Sequence, residues 1–435
     1  MSQPNFVFIL ADDLGYADLG CYGGRSPCSP EIDRMAREGL RFTNGYANSP
    51  VCSPTRFALM TGRYQYRLRG GMDEPIATRT RGNPDLGLPP GEPTLPSVLR
   101  AASYVTALVG KWHLGFAPHF GPLQSGYQEF FGVASGGVDY FTHCDSAGVH
   151  DLYEGEKEVH RTGYLTDLIS DRAVDFIERQ QGLSKPFLLS VNYTAPHWPW
   201  ETRDDAAEAE RIRSRIIHTD GGSVETYLTM IRQMDEGIGR INEALKRIGA
   251  DENTMVVFTS DNGGERFSDT WPLVGKKMDL LEGGIRVPYV VRWPARVKPG
   301  GVARQHAMTM DWTVTMFDAA GATLPAGHEL DGASLRSVLE NPEAVFEREL
   351  FWRMLFRGQK AMRAGDWKYL VLEGDEFLFN LERDARERAN FAKCEPQRLA
   401  RMRARYEEWA KSVPPLPADA GFAIPFTKAD LARPS

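Results

Sequence analysis

Asp12-Asp13, Lys111 with His113, His197, and Asp261-Asn262 lie far apart in the chain, yet each follows an apolar run. Three carboxylates and one amide oxygen make a hard oxygen set. Such a set suits Ca2+, with Mn2+ or Mg2+ as alternatives, whereas zinc more usually takes His or Cys. Arg56, Lys111, Lys277, His113 and His197 supply the cations and imidazoles that hold a tetrahedral oxyanion and move protons. Taken singly, each piece has a plain structural reading. Asp-rich turns are common after strands, a lone His is usually a hydrogen-bonded structural residue, and Lys276-Lys277 reads as a solvated pair. Their weight comes from occurring together.

A reactive-atom candidate stands at Val51-Cys52-Ser53-Pro54-Thr55-Arg56. Pro54 suits a first helical turn, where its missing N–H costs nothing. Phe57, Leu59 and Met60 anchor the segment, and Gly62 ends it. Cys52 is thereby expected at the positive end of a helix dipole with Arg56 one turn on, a field that favours an anion there. The alternative is a buried structural cysteine.

These residues need strands to carry them. Phe6–Leu10, Tyr104–Val109, Pro186–Tyr193 and Thr254–Ser260 are apolar runs of the kind buried on both faces of a parallel sheet. Ligands of open α/β sheets gather at the C-terminal edge of such strands. Helical spacing predicts helices over Pro30–Gly39, Thr94–Arg100, Tyr164–Arg179 and Ser223–Ile248. The alternation predicts an α/β fold with a large, mostly parallel sheet sandwiched by helices. From Glu349 short alternating strands replace this pattern, followed by a helix near Pro396–Ser412. The expected division is a catalytic α/β domain over 1–340, a C-terminal antiparallel sheet and helix over 345–412, and a Pro-rich tail over 413–435. Gly115–His160 is irregular and rich in Gly, aromatic and His residues, a pattern typical of functional loops. Tyr140, His143, Trp198 and Trp200 are expected to shape a pocket, although the two tryptophans equally suit packing.

At 435 residues the chain can bury a sizeable core, and 42% hydrophobic with 25% charged is ordinary globular composition. A net charge of −7 argues against nucleic acid as the main partner. No run has the length of a membrane span, and Phe6–Ala11 is too short for a signal core. Five cysteines without metal-ligand spacing read as free thiols in the cytoplasm, with a Cys21–Cys28 disulfide as the alternative. The apolar Phe422, Ile424 and Phe426 of the tail are expected to pack on a neighbouring subunit of a homo-oligomer, or over their own domain.

Cys52-Ser53-Pro54-Thr55-Arg56 with Thr61-Gly62-Arg63 resembles the signature of the type I, formylglycine-dependent sulfatases of the alkaline phosphatase superfamily, departing at Phe57 where a small residue is usual. The likeness extends over nearly the whole chain. It takes in Asp12-Asp13, Gly110-Lys111-Trp112-His113, Ala195-Pro196-His197 and Ser260-Asp261-Asn262-Gly263-Gly264. It continues through Gly275-Lys276-Lys277, Glu282-Gly283-Gly284-Ile285-Arg286-Val287-Pro288 and Gly365-Asp366-Trp367-Lys368. The resemblance implies an arylsulfatase-type enzyme cleaving small-molecule sulfate esters, its Cys52 converted to formylglycine by a formylglycine-generating enzyme. It implies that Asp12, Asp13, Asp261 and Asn262 bind the metal and that Arg56 holds the formylglycine hydrate. Lys111, Lys277 and His197 would grip the sulfate, and His113 would assist breakdown of the intermediate. The alternative within the superfamily is a phosphonate monoester or phosphodiester hydrolase.

Overall fold

The strands, in chain order, are β1 (Asn5–Ala11), β2 (Leu40–Phe42), β3 (Gly45–Tyr46), β4 (Val105–Gly110), β5 (Glu129–Val133), β6 (Leu152–Glu154), β7 (Lys157–Glu158), β8 (Phe187–Asn192), β9 (Thr254–Ser260), β10 (Tyr289–Arg292), β11 (Gly301–Ala303) and β12 (Ala307–Met308). Four more, β13 (Glu349–Met354), β14 (Gln359–Ala364), β15 (Trp367–Leu372) and β16 (Asp375–Asn380), follow. The structure is a computed structural model that describes residues 3–212 and 221–423.

Ten strands form one sheet in the order β11-β2-β10-β9-β1-β8-β4-β5-β6-β7. β9, β1, β8, β4 and β5 run parallel, whereas β10 pairs antiparallel with β9, and β6 and β7 continue antiparallel at the other edge. β1 shows why apolar runs build this centre. Its Val7, Ile9 and Ala11 join the core on one face, and Phe6, Phe8 and Leu10 join the core on the other. No polar side chain stands between Phe6 and Ala11, and each Phe, Val, Ile or Leu among them contributes roughly 1.5–3 kcal/mol by leaving water.

Helices Leu165–Glu178 and Val224–Arg247 cover the first face through Ile169, Phe176, Met230 and Ile238. Cys52–Thr61, Leu95–Ala101 and Thr309–Ala320 cover the second. Ser223 caps the long helix by accepting from Thr226 N, and Thr94 forms a capping box with Ser97.

β13 to β16 form a separate antiparallel sheet against helix Pro396–Ser412. Their core, with Trp352, Leu370, Tyr406 and Trp409, also takes in Tyr46, Val51 and Ala58 beside the cysteine segment. All five cysteines are free, Cys21 and Cys28 included. The described part of the tail lies on its own chain: Glu74 N donates to Gly421 O at 3.0 Å and Ala423 N to Glu74 O at 3.1 Å, while Phe422 meets the Phe356 ring. Ile424 and Phe426 lie outside the described residues. No helix among the described residues is long and apolar enough to cross a membrane.

Candidate active site

Strand register assembles the pocket. Leu10 pairs with Asn192, Asn192 with Gly110, and Ala11 with Ser260. The next residues out, Asp12, Lys111 and Asp261, therefore leave the sheet at one level. Backbone bonds extend the ladder past the strands: Asp261 N donates to Ala11 O at 3.1 Å, Asp12 N to Ala195 O at 3.1 Å and Lys111 N to Asn192 O at 2.8 Å. Four neighbouring strands thus bring together carboxylates, a lysine and the loop that carries His197.

Cys52 opens the helix that runs to Thr61, with Val51 at its N-cap and Gly62 closing it at φ 67°, where a residue with a Cβ is strained. Thr55 Oγ1 accepts from Ser49 N at 2.9 Å and donates to Ser49 O at 3.0 Å, folding the entering loop onto the first turn. Phe57 is fully buried, and a Cβ on Gly70 would lie 2.8 Å from its ring tip, so the glycine makes room for the large residue. The Cys52 sulfur and oxygens of Asp12 and Asp261 all lie within 4.8 Å of one another.

Charges in the pocket are paired. Arg56 directs Nε and Nη2 at Asp261 Oδ2, at 3.1 and 2.8 Å, and donates Nη1 to Lys111 O at 3.1 Å. Lys111 pairs with Asp12 Oδ2, and Lys277 Nζ with Asp13 Oδ2 at 2.7 Å, while Lys276 is exposed. Three buried carboxylates therefore face three cations. Burial and then Asp261 push Asp12 well above the usual carboxylate range, against the pull of Lys111. Burial also opposes ionisation of Asp13, but Lys277, His197 and the Asn262 amide overcome it and hold that carboxyl at about 2. The expectation of an anion at Cys52 is corrected. Burial outweighs Lys111 and Lys277, Asp12 and Asp261 add repulsion, and the thiol is pushed up to about 12.

Two buried acceptor oxygens, Asp12 Oδ1 and Asn262 Oδ1, have no hydrogen-bond partner. Asn262 spends its amide hydrogens on Asp13 Oδ1 at 2.7 Å and Gly263 O at 2.9 Å, which leaves its oxygen free. Unsatisfied oxygens beside ionisable carboxylates are what a hard cation would satisfy, so Asp12, Asp13, Asp261 and Asn262 fit one. Asp12, Asp13 and His197 also place ligand atoms within 4.8 Å of one another.

Both histidines are oriented by backbone oxygens. His113, at φ 59°, sets Nε2 2.8 Å from Ile76 O and leaves Nδ1 unpartnered. Ile76 N in turn donates to Ser53 Oγ at 2.9 Å, tying that ring to the residue after Cys52. His197 sets Nδ1 2.6 Å from Trp198 O and turns Nε2 towards Asp13 Oδ2 at 3.6 Å. Burial first, then Lys111 for His113 and Lys277 for His197, lowers both imidazoles well below their ordinary value.

Of the expected pocket-shaping residues, Tyr140 is fully buried and donates its hydroxyl to His197 O at 2.9 Å, and Trp200 packs edge-on against Phe267. These two support the pocket from behind. Trp198 leans on the His197 ring at 4.1 Å. Sequence reasoning missed Ser53, Asn192 and Glu265. Asn192 donates to Lys111 O at 2.9 Å, and its signal was a lone amide closing an apolar run. Glu265, four residues after Asp261, is pushed up to about 7 by burial against the opposing pull of Lys277.

Residues 4–322 match the Sulfatase family model, and residues 271–396 match N-sulphoglucosamine sulphohydrolase, C-terminal. N-acetylgalactosamine-6-sulfatase of Homo sapiens is 34% identical over 384 residues, 83% of this chain and 70% of that protein. Arylsulfatase J of Mus musculus is 36% identical over 400 residues, 85% of this chain and 64% of that protein. The crystal structure of Ps i-CgsB in complex with k-i-k-neocarrahexaose matches with a TM-score of 0.84 at 31% identity, covering 96% of this chain and 94% of that one.

Proposed function

This chain belongs to the sulfatase family and is a sulfate ester hydrolase, and on that premise we propose that it acts on aryl-type sulfate monoesters through a formylglycine made from Cys52. The observation that carries the reading is the Cys52 sulfur, at a helix N-terminus, within 4.8 Å of Asp12 and Asp261 oxygens. A divalent cation, Ca2+ before Mn2+ or Mg2+, would be held by Asp12, Asp13, Asp261 and Asn262 and would polarise the sulfate oxygens.

The chain's own groups do the rest. Aldehyde hydration at position 52 supplies two hydroxyls on one carbon. Asp261, held by Arg56 through Oδ2, takes the proton of one hydroxyl as its oxygen attacks sulfur. Lys111 and Lys277 offset charge on the sulfate oxygens, and the departing alcohol or phenol takes its proton from Lys277, or from His197 once its Nε2 has picked one up as the anion binds, while the S–O bond breaks. The unpartnered Nδ1 of His113 accepts the proton of the second hydroxyl. The aldehyde reforms as the bond to the sulfated oxygen breaks and sulfate leaves as the dianion, and the protons taken up by Asp261 and His113 pass back to the leaving-group acid and to solvent. Water then restores the hydrate.

Intact mass of the peptide containing Cys52 tests the modification, because replacing CH2SH by CHO lowers it by about 18 Da. The expected result pairs that loss with turnover of an aryl sulfate that Cys52→Ala abolishes. Full turnover by Cys52→Ala overturns the proposal. A higher kcat/KM for a phosphate diester or phosphonate monoester overturns the substrate assignment alone.

A further inference from the structure

The irregular stretch before residue 160 contains a second cluster of ligand atoms that the sulfate chemistry does not use. His150, Glu158 and His160 each offer one ligand atom, all within 4.8 Å of one another. His150 Nδ1 lies 3.2 Å from Glu158 Oε1, and His160 Nε2 lies 3.6 Å from the same oxygen. A tetrahedral zinc ion with bonds of about 2.0–2.2 Å separates its ligands by roughly 3.3–3.5 Å, close to both spacings. The cluster is held by local structure. Lys157–Glu158 forms β7, paired antiparallel to β6 at the sheet edge, and His150 bridges to Cys144 across a turn.

A second observation points the same way. His150 Nδ1 and His143 Nε2 are buried with no hydrogen-bond partner, and the His143 ring, 1% exposed, stands edge-on to His150 with centroids 6.2 Å apart. A buried imidazole nitrogen without a partner is costly unless something occupies its lone pair. Of these two nitrogens, His150 Nδ1 lies 3.2 Å from the Glu158 carboxylate, and the His160 ring stands 4.1 Å from the His150 ring, centroid to centroid. The donor set also differs in kind from that around Asp12. Two imidazoles and one carboxylate are borderline ligands that prefer zinc-class ions, whereas the oxygen set prefers calcium or magnesium.

We propose that His150, Glu158 and His160 form a separate zinc-class transition-metal site, with water in the fourth position. Occupied, it pins the β6–β7 hairpin to His150. The next residue, Asp151, accepts from Ala134 N at 3.1 Å and Ser135 N at 2.7 Å, immediately before Gly136 and Gly137. Those glycines lie against the catalytic histidines: a Cβ on Gly136 would stand 2.5 Å from His113 Cε1, and one on Gly137 3.0 Å from His197 Cε1. The ion would thus brace the wall of the pocket from outside, whichever ester the pocket cleaves.

The test is Zn2+ titration by calorimetry of the full chain in millimolar Ca2+, which keeps the oxygen site supplied. Glu158→Gln and the pair His150→Ala with His160→Ala are titrated alongside. His160 and Glu158 are exposed, so Glu158→Gln leaves the packing intact, and circular dichroism checks the fold of the double variant, which also removes the mostly buried His150. One Zn2+ per chain is expected in the parent protein that the variants lack or bind at least about 100-fold more weakly, since even outer-sphere partners are worth about 10- to 100-fold. Co2+ in place of Zn2+ should give a visible d–d band in the parent alone. Equal zinc stoichiometry and affinity in parent and variants overturns the proposal, as does displacement of the ion by Ca2+.

Discussion

Lys368→Met removes one charge from the C-terminal sheet and keeps the side chain's length. Lys368, Glu282 and Glu387 are all fully buried, with Nζ 3.0 Å from Glu282 and 2.8 Å from Glu387. Tyr46 donates to Glu282 Oε2 at 2.7 Å, and Glu282 N donates to Glu387 Oε2 at 2.7 Å. Without the ammonium, Glu387 loses the cation at 2.8 Å, while Glu282 keeps Arg286 and Arg363, each at 3.5 Å. Breaking a buried pair from one side costs about 3–5 kcal/mol. At about 2.1 cal/mol/K per residue, unfolding 435 residues carries an entropy near 0.9 kcal/mol/K, so the melting temperature should fall by about 3–5 °C at pH 8.

The loss should depend on pH, with a definite sign. Burial raises Glu387 to about 7 in the folded protein against an ordinary 4.5, with Lys368 pulling it down. A carboxyl whose folded value is raised holds its proton more tightly when folded. Its contribution is therefore complete below pH 4.5 and is lost as pH rises through 7. Deleting Lys368 removes that downward pull and widens the interval. Differential scanning fluorimetry of both proteins from pH 5.5 to 8.5 should show a gap that is small in acid and grows with pH. A gap that stays constant, or melting temperatures within 1 °C of each other at pH 8, would refute the reasoning.

Other outcomes follow from the pocket. Cys52→Ser retains one hydroxyl and lacks the second, so a single incubation with aryl sulfate should leave a sulfated serine, read by intact mass, with no sustained turnover. Gly136→Ala places a methyl group where the His113 ring now stands, and kcat should fall by about 10- to 100-fold with KM little changed. Exhaustive chelation should abolish sulfate ester hydrolysis, and returning Ca2+, Mn2+ or Mg2+ should restore it, Ca2+ most fully. Full activity in protein shown metal-free by elemental analysis would sink the hard-cation reading.

The central strands were legible because burial on both faces forces an uninterrupted apolar run. Phe6–Leu10 and Thr254–Ser260 need no partner to be recognised, and the helices around them announced their ends through Ser223 and Gly62. Strands β2, β6, β7 and β11, at and next to the sheet edges, have only two or three residues each, too short for a period to show, and β2 and β11 in addition pair with distant chain. In the pocket, residue types were readable and contacts were not. Nothing near His113 says that its ring meets Ile76 O, or that Ile76 N meets Ser53. The Gly365-Asp366-Trp367-Lys368 stretch was visible as a motif, but the buried Glu282 that explains its lysine lies 86 positions earlier. Dipole reasoning about Cys52 failed because it counted the helix and omitted the burial of the thiol, to which the two aspartates behind it only add.

All ten residues of the helix Cys52–Thr61 are buried, and Cys52 itself is 2% exposed. The walls over it include Asp261 and Lys277, made more than two hundred positions after it during synthesis. The modification proposed above for Cys52 would therefore have to take place on a bare, newly emerged peptide, before the rest of the pocket exists to shut it in. Timing on the ribosome, rather than any opening of the finished protein, would decide what fraction of molecules becomes active, and a slower or faster translation of residues 60–260 should shift that fraction.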